Sequence, residues 1–153
     1  MMVLFALVTM VSFGQDGKTT LGFTGGFGLS STISATYGGW IDYGKWGGSI
    51  TKGVTTSNED PTDYIYGNTS KYTAGSTFMN IGIHRYGLFK DENISIGGGI
   101  QMITDITTNG FEKGSTLPYV NVGYKKEIGF GTVKFDGVLG KIPTISLGWG
   151  FTF

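Results

Sequence analysis

Apolar and polar positions alternate along most of this chain, in eight separate segments. Each segment predicts a β-strand, because successive strand side chains point to opposite faces. From Thr19 to Ser30, the residues Leu21, Phe23, Gly25, Phe27 and Leu29 share one face. Thr20, Gly22, Thr24, Gly26 and Gly28 share the other. The second segment lines up Ile33, Ala35, Tyr37, Gly39, Ile41 and Tyr43. Parity sends Trp40 to the opposite face, among small residues; a β-bulge at Gly38 and Gly39 would instead turn it outward, and the sequence leaves both open. The third runs from Trp46 to about Val54, with Gly48, Ile50 and Lys52 in its outward row. A lysine there fits near a membrane edge, where its long stem reaches the headgroups.

The fourth segment, Tyr72 to Tyr86, sets Met79, Ile81 and Ile83 against Asn80, Gly82 and His84. The fifth, Ile94 to Ile106, sets Ile96, Ile100 and Met102 against Ser95, Gln101 and Asp105. The sixth, Thr116 to Lys126, sets Pro118, Val120, Val122 and Tyr124 against Tyr119, Asn121, Gly123 and Lys125. Pro118 lacks a ladder donor and is therefore expected at the strand's beginning. The seventh has Val133, Phe135, Gly137 and Leu139 outward, with Lys134 and Asp136 inward. The eighth, Thr144 to Phe153, alternates without exception: Ile145, Leu147, Trp149, Phe151 and Phe153 against Thr144, Ser146, Gly148, Gly150 and Thr152.

Segments of this kind match the ~9–11 residues with which a tilted strand crosses a bilayer. Their connections agree with that reading. The links after strands two, four and six are short and fall on one side. The long polar links, 55–71 and 107–115, follow strands three and five and fall on the other. Short periplasmic turns opposite longer external loops are the outer-membrane pattern. The sequence thus predicts an all-β, eight-stranded antiparallel up-and-down transmembrane β-barrel over 15–153, closed by pairing Thr144–Phe153 with Thr19–Ser30.

Composition sharpens this picture. Charged residues are 14% of the chain and glycine 28 of 153, against typical values of ~25% and ~7%. Few charges, many aromatics and abundant glycine suit a lipid-facing exterior around a crowded lumen. A soluble barrel would have to cover outward rows of Phe, Ile, Trp and Leu on almost every strand. Eleven basic and 11 acidic residues leave no net charge, so nothing points to nucleic acid. Absence of cysteine excludes disulfides and thiolate metal sites. Residues 1–14 read as a secretory signal: an apolar run from Met2 to Val11, then Ser12 and Gly14 before cleavage at Gln15. The usual basic residues before the run are missing, as a start codon assigned too late would explain.

Candidate chemistry is sparse. Asp42, His84, Lys125, Lys134 and Asp136 all fall inward and towards the periplasmic half. Buried charges need partners, so these five are expected to form a polar plug; a proton or ion path is the functional alternative. His84 is the only histidine and would have to carry any histidine chemistry. It lies near the short-turn side, with outward Arg85 beside it at headgroup depth. Glu59, Asp60 and Asp63 offer oxygen ligands, but their spacing matches no calcium loop. Tyr64, Tyr66 and Tyr72 suit a partner contact or the membrane interface. Gly26 and Gly28 sit within a strand with no following helix, so a phosphate-binding loop fails on context. No cofactor is expected.

The strand number, alternation, loop asymmetry and closing strand ending on Phe153 resemble the small eight-stranded outer-membrane barrels, the group of the OmpA transmembrane domain and OmpX. The resemblance covers 19–153. It implies a bacterial outer-membrane location with periplasmic N- and C-termini. It implies that Ile145, Leu147, Trp149, Phe151 and Phe153 form the signal read by the barrel-assembly machinery, with lipid contact as their plain structural role. Outer-membrane lipids are the expected surroundings, and the chain is expected to be a monomer. The leading function is non-enzymatic: a structural or surface-interaction role through the external loops, with an unidentified external partner. A narrow channel and a lipid-modifying enzyme using His84 are the alternatives. Eight strands argue against an open pore.

Overall fold

The computed structural model describes residues 17–29, 33–56, 73–107, 112–129 and 131–153. Eight strands form one closed antiparallel barrel in simple chain order. They are β1 (Thr19–Leu29), β2 (Ile33–Tyr43), β3 (Trp46–Thr56), β4 (Thr73–Tyr86), β5 (Ile94–Thr107), β6 (Glu112–Ile128), β7 (Gly131–Leu139) and β8 (Thr144–Thr152). The seam is the β1–β8 pair, registered from Thr20 opposite Thr152 to Gly28 opposite Thr144. Thr19 and Phe153 exchange two further backbone hydrogen bonds, of 3.2 and 2.8 Å. The closing pair expected from the sequence is therefore formed, and no strand edge is left open along it.

The barrel is turned inside out relative to a soluble domain. Phe23, Phe27, Leu139 and Leu147 are 60–71% exposed, whereas Asp42, His84 and Lys134 are each 1% exposed. The cause is the period-two pattern: once register is set, every apolar row goes outward together. Among the described residues no helix is long and apolar enough to cross a membrane. The three connections at one end of the barrel each carry a glycine with positive φ: Gly44 (56°), Gly87 (73°) and Gly129 (59°). Tight strand connections favour left-handed backbone there, which costs a side-chain-bearing residue more than glycine. This short-turn end also holds Lys18 and Phe153.

Trp40 points into the lumen and is 4% exposed. Pairing of β2 with β1 and β3 runs through Gly38 and Gly39 without a register break, so no bulge turns it outward. Its indole lies over Gly22 of β1 and over Gly148 and Gly150 of β8. A Cβ at any of the three would press against the ring. The small inward residues are the space the indole occupies. Asn80, Gln101 and Asn121 are likewise buried on the inner face.

The rim at the loop end is uneven. β5 and β6 span 14 and 17 residues, against nine each for β7 and β8. Pairing of β5 with β6 continues to Ile106 opposite Glu112, while β7 reaches only Leu139, opposite Val120. Two expected boundaries are corrected. The second long link is 108–111 rather than 107–115, and Thr55 and Thr56 belong to β3 rather than to the first. The physical reason is that paired strand projecting past the apolar band has no row of large apolar residues to reveal it. Pro118 consequently lies inside β6, not at its start. It sits above the last β7 pair, where only β5 is alongside.

Replacing Trp40 should show how much this packing contributes. Trp40→Ala is expected to cost about 3–5 kcal/mol of barrel stability. Gly148→Leu should also be strongly destabilising, and Gly148→Leu with Trp40→Ala should recover part of that loss, because the new side chain enters the space vacated. Urea unfolding in detergent micelles measures all three; strictly additive losses would show that the two positions do not share space.

Candidate functional site

The lumen is filled at three levels. The lowest, towards the short-turn end, gathers the charged groups. Asp42 is the next inward residue after Trp40 on β2, and His84 and Tyr86 are successive inward residues on β4. Nε2 of His84 lies 2.7 Å from Oδ1 of Asp42, and the Tyr86 hydroxyl donates to Oδ2 of Asp42 at 2.9 Å. Nζ of Lys134, from β7, lies 3.0 Å from the same His84 nitrogen and 3.2 Å from Oδ2 of Asp136. Nζ of Lys125, from β6, is 3.6 Å from Oδ2 of Asp42 and 3.8 Å from the centre of the Tyr86 ring. One nitrogen cannot both donate and accept. With its proton on Nε2, His84 donates to Asp42, and Lys134 takes Asp136 as acceptor. Two carboxylates and two ammonium groups meet here, so their formal charges cancel. That cancellation is what allows them to sit out of water.

Backbone glycine makes the meeting possible. A Cβ at Gly47 of β3 would strike both Asp42 and His84, and one at Gly123 of β6 would strike Asp136. Arg85, between His84 and Tyr86, faces outward instead, its guanidinium 5.3 Å from the Trp46 ring centre.

The middle level is set by Trp40 and Tyr119. Beside them Thr36 Oγ1, Thr51 Oγ1, Asn80 Nδ2, Asn121 Oδ1 and Asp136 Oδ1 have no hydrogen-bond partner among the described residues, and their residues line one cavity of about 10 Å³. That is space for roughly one water molecule. The upper level is apolar. Ile142, from the link between β7 and β8, packs with Phe78, Ile103 and Leu117. Gln101 holds this link down. Its Oε1 accepts from the Ile142 amide at 2.9 Å, and its Nε2 donates at 2.9 Å to the Ile142 carbonyl and to Asn80.

All five residues singled out for the lumen cluster are thus brought together. Parity placed them inward, but it did not identify Tyr86 as the second ligand of Asp42, nor Gln101 and Ile142 as the upper closure. Tyr86 carries a usable signal, sharing the parity of His84. Ile142 carries none, because it lies outside any alternating segment. The outward row Ile145, Leu147, Trp149 and Phe151 is exposed on β8, as is Phe153 just after it, with the Trp149 ring over Gly131. Glu59, Asp60, Asp63, Tyr64, Tyr66 and Tyr72, and residues 1–14, lie outside the described residues. Among those described, no group of three or more His, Cys, Asp or Glu side chains is placed to hold a metal ion. His84 has a carboxylate beside it but no exposed face to present to a substrate.

The charge balance predicts strong coupling. Lys134→Met leaves Asp136 without its ammonium and should cost about 3–5 kcal/mol. Lys134→Met combined with Asp136→Asn should cost clearly less than the sum of the two single changes. Unfolding midpoints of the three variants test this; an additive pair would show that the two side chains are not energetically linked.

No family model matches the chain, and no curated protein matches it. Solved structures of similar shape include the crystal structure of Neisserial surface protein A. The two chains are 9% identical, the match covers 90% of this chain and 97% of the other, and the TM-score is 0.51. What is shared is the fold: a small, closed barrel of eight antiparallel strands.

Proposed function

We propose that the chain is an integral outer-membrane barrel, with no catalytic role, that presents its loop end to external partners. The observation that carries the reading is the inversion of the closed barrel: large apolar side chains outside, paired polar groups inside. Lipid is the surrounding that makes such an exterior favourable, and a closed barrel satisfies its backbone there. On this reading the short-turn end and both termini are periplasmic, residues 1–14 direct export, and the β8 row serves as the assembly signal. The surface role is supported by the rim. The strands that project furthest, β4, β5 and β6, carry the link 108–111 and one end of the longest link, 57–72, which joins β3 to β4. The channel reading is disfavoured by the filled levels of the lumen.

Depth-dependent cost tests the membrane assignment. Leu147 lies mid-strand on β8, opposite Gly25 and Phe135. Leu147→Arg should lower folding stability in bilayers by about 2–4 kcal/mol, the penalty of a charge near the midplane. A variant that folds equally well and stays soluble without detergent would sink the membrane reading. Orientation is tested separately by an epitope inserted between Asn109 and Gly110. Intact cells should bind the antibody; binding only after permeabilisation would reverse the orientation.

A further inference from the structure

On the barrel exterior, across β5, β6 and β7, lies a groove of about 430 Å³ with an almost wholly apolar lining. Ile94, Val122, Tyr124, Phe135 and Leu139 form its walls, and Gly137 its floor. Its size falls within the ~300–1,000 Å³ of small-molecule sites. Three observations bear on what it holds.

The first is Gly137 itself. Inward glycines such as Gly22, Gly47 and Gly148 are forced, because a Cβ would strike a neighbour; Gly137 faces outward, where Gly25 and Gly48 also have room for a Cβ. A Cβ on Gly137 would meet only the Val122 carbonyl oxygen, at an ordinary 3.8 Å. Its φ is not positive either. Neither packing nor backbone requires glycine here, so the residue's structural effect is to leave the outer wall recessed. The second is direction. The groove runs along β6 and β7 from Leu139, at the loop end of β7, down to Tyr124 and Phe135. The third is charge. Lys126 follows Tyr124 on the same outward face, opposite Val133, just below the groove. It is exposed and has no ion pair among the described residues. Its neighbour Glu127 is engaged with Lys18 at 3.3 Å.

An apolar slot parallel to the strands with an unpaired ammonium at one end matches one chemistry: an acyl chain joined to an anionic headgroup. We propose that this groove is a binding site for an anionic glycerophospholipid, its chain lying over Gly137 and its phosphate on Lys126. The proposal rests on the membrane reading above. On that reading Lys126 lies at the periplasmic edge, which makes the source a phospholipid of the inner leaflet.

The test uses the full chain, folded and purified in detergent, with phosphatidylglycerol and phosphatidylcholine as probes and native mass spectrometry as readout. The wild type should retain one phosphatidylglycerol per barrel through delipidation. Gly137→Phe, which fills the recess, should reduce that retention at least tenfold. Gly25→Phe, at an outward glycine that likewise has room for a Cβ, should leave it unchanged. Lys126→Glu should abolish the preference for phosphatidylglycerol over phosphatidylcholine. Equal retention by the wild type and Gly137→Phe would overturn the proposal. So would equal losses in both glycine variants, or a groove occupied by a second copy and seen as a dimer that Gly137→Phe dissolves. Should Gly137→Phe fail to fold, an unchanged lipid preference in Lys126→Glu overturns it alone. Each variant is also run unboiled and boiled on a gel. A wild-type chain that shows no heat-modifiable band and needs no detergent removes the membrane reading itself. A heat-modifiable wild type without specific lipid removes only this site.

Discussion

Eight strands enclose a space barely wider than the side chains that fill it. An inward residue can therefore be large only where the strands facing it are bare. This one constraint accounts for where much of the glycine is spent. Trp40 lies over Gly22, Gly148 and Gly150; Phe78 reaches Gly28 and Gly53; the Tyr119 hydroxyl lies over Gly82; Asp42 and His84 crowd Gly47. In each case the large residue and its bare neighbours come from different strands. The fit therefore depends on register, and a slip of one residue would send each slipped strand's inward set to the outer face and separate every such pair. Steric matching across the lumen fixes the register that the backbone ladder alone leaves free to slide.

The same crowding governs the charges. Little water reaches a filled lumen, so Asp42 and Lys134 are buried, Asp136 and Lys125 are only partly exposed, and the four charges are paired with one another or with His84. Buried ion pairs contribute little net stability when complete, yet leave a large penalty when one member is removed. Their value in this barrel is specificity. Asp42 receives Tyr86 and His84 from β4 and Lys125 from β6, tying β2 to strands it does not touch along the sheet. A barrel held only by neighbour-to-neighbour ladders has no such cross-links. The polar core supplies them through the interior, while the exterior is left to apolar contact.

Much of this architecture was legible from the sequence because it depends on a period of two, the shortest-range pattern a chain can carry. Which face each residue takes follows from parity alone, and so do the eight strands and their closing pair. What remained hidden depends on distance in space. Trp40 seemed out of place among small residues until the seam brought Gly148 and Gly150, over 100 positions away, beneath its ring. Ile142 stayed invisible because it plugs the barrel from a link, where no alternation marks it. The extra length of β5 and β6 was hidden for a further reason. Alternation reports where one face meets an apolar surrounding and the other a packed lumen. Residues 112–115, Glu-Lys-Gly-Ser, carry no such alternation, and in sequence the strand is indistinguishable from loop there.

These elements bear on where the molecule can act. The lumen is obstructed twice, by different physics. At the short-turn end the obstruction is electrostatic, and opening it would separate paired charges in a low-dielectric interior. At the loop end it is apolar: moving Ile142 away would expose Phe78 and Ile103 and break the hydrogen bonds that Gln101 makes to the link. Opening one does not open the other, because the two closures lie at opposite ends and are held by different contacts. A permeation path would need two independent, unfavourable rearrangements at once. It is on the outer wall and at the loop rim that the strands differ in length, that Gly137 leaves the wall recessed without steric need, and that Lys126 has no ion pair among the described residues. Activity in this barrel is therefore to be sought on its surfaces, with the lumen acting as the core that holds them in shape.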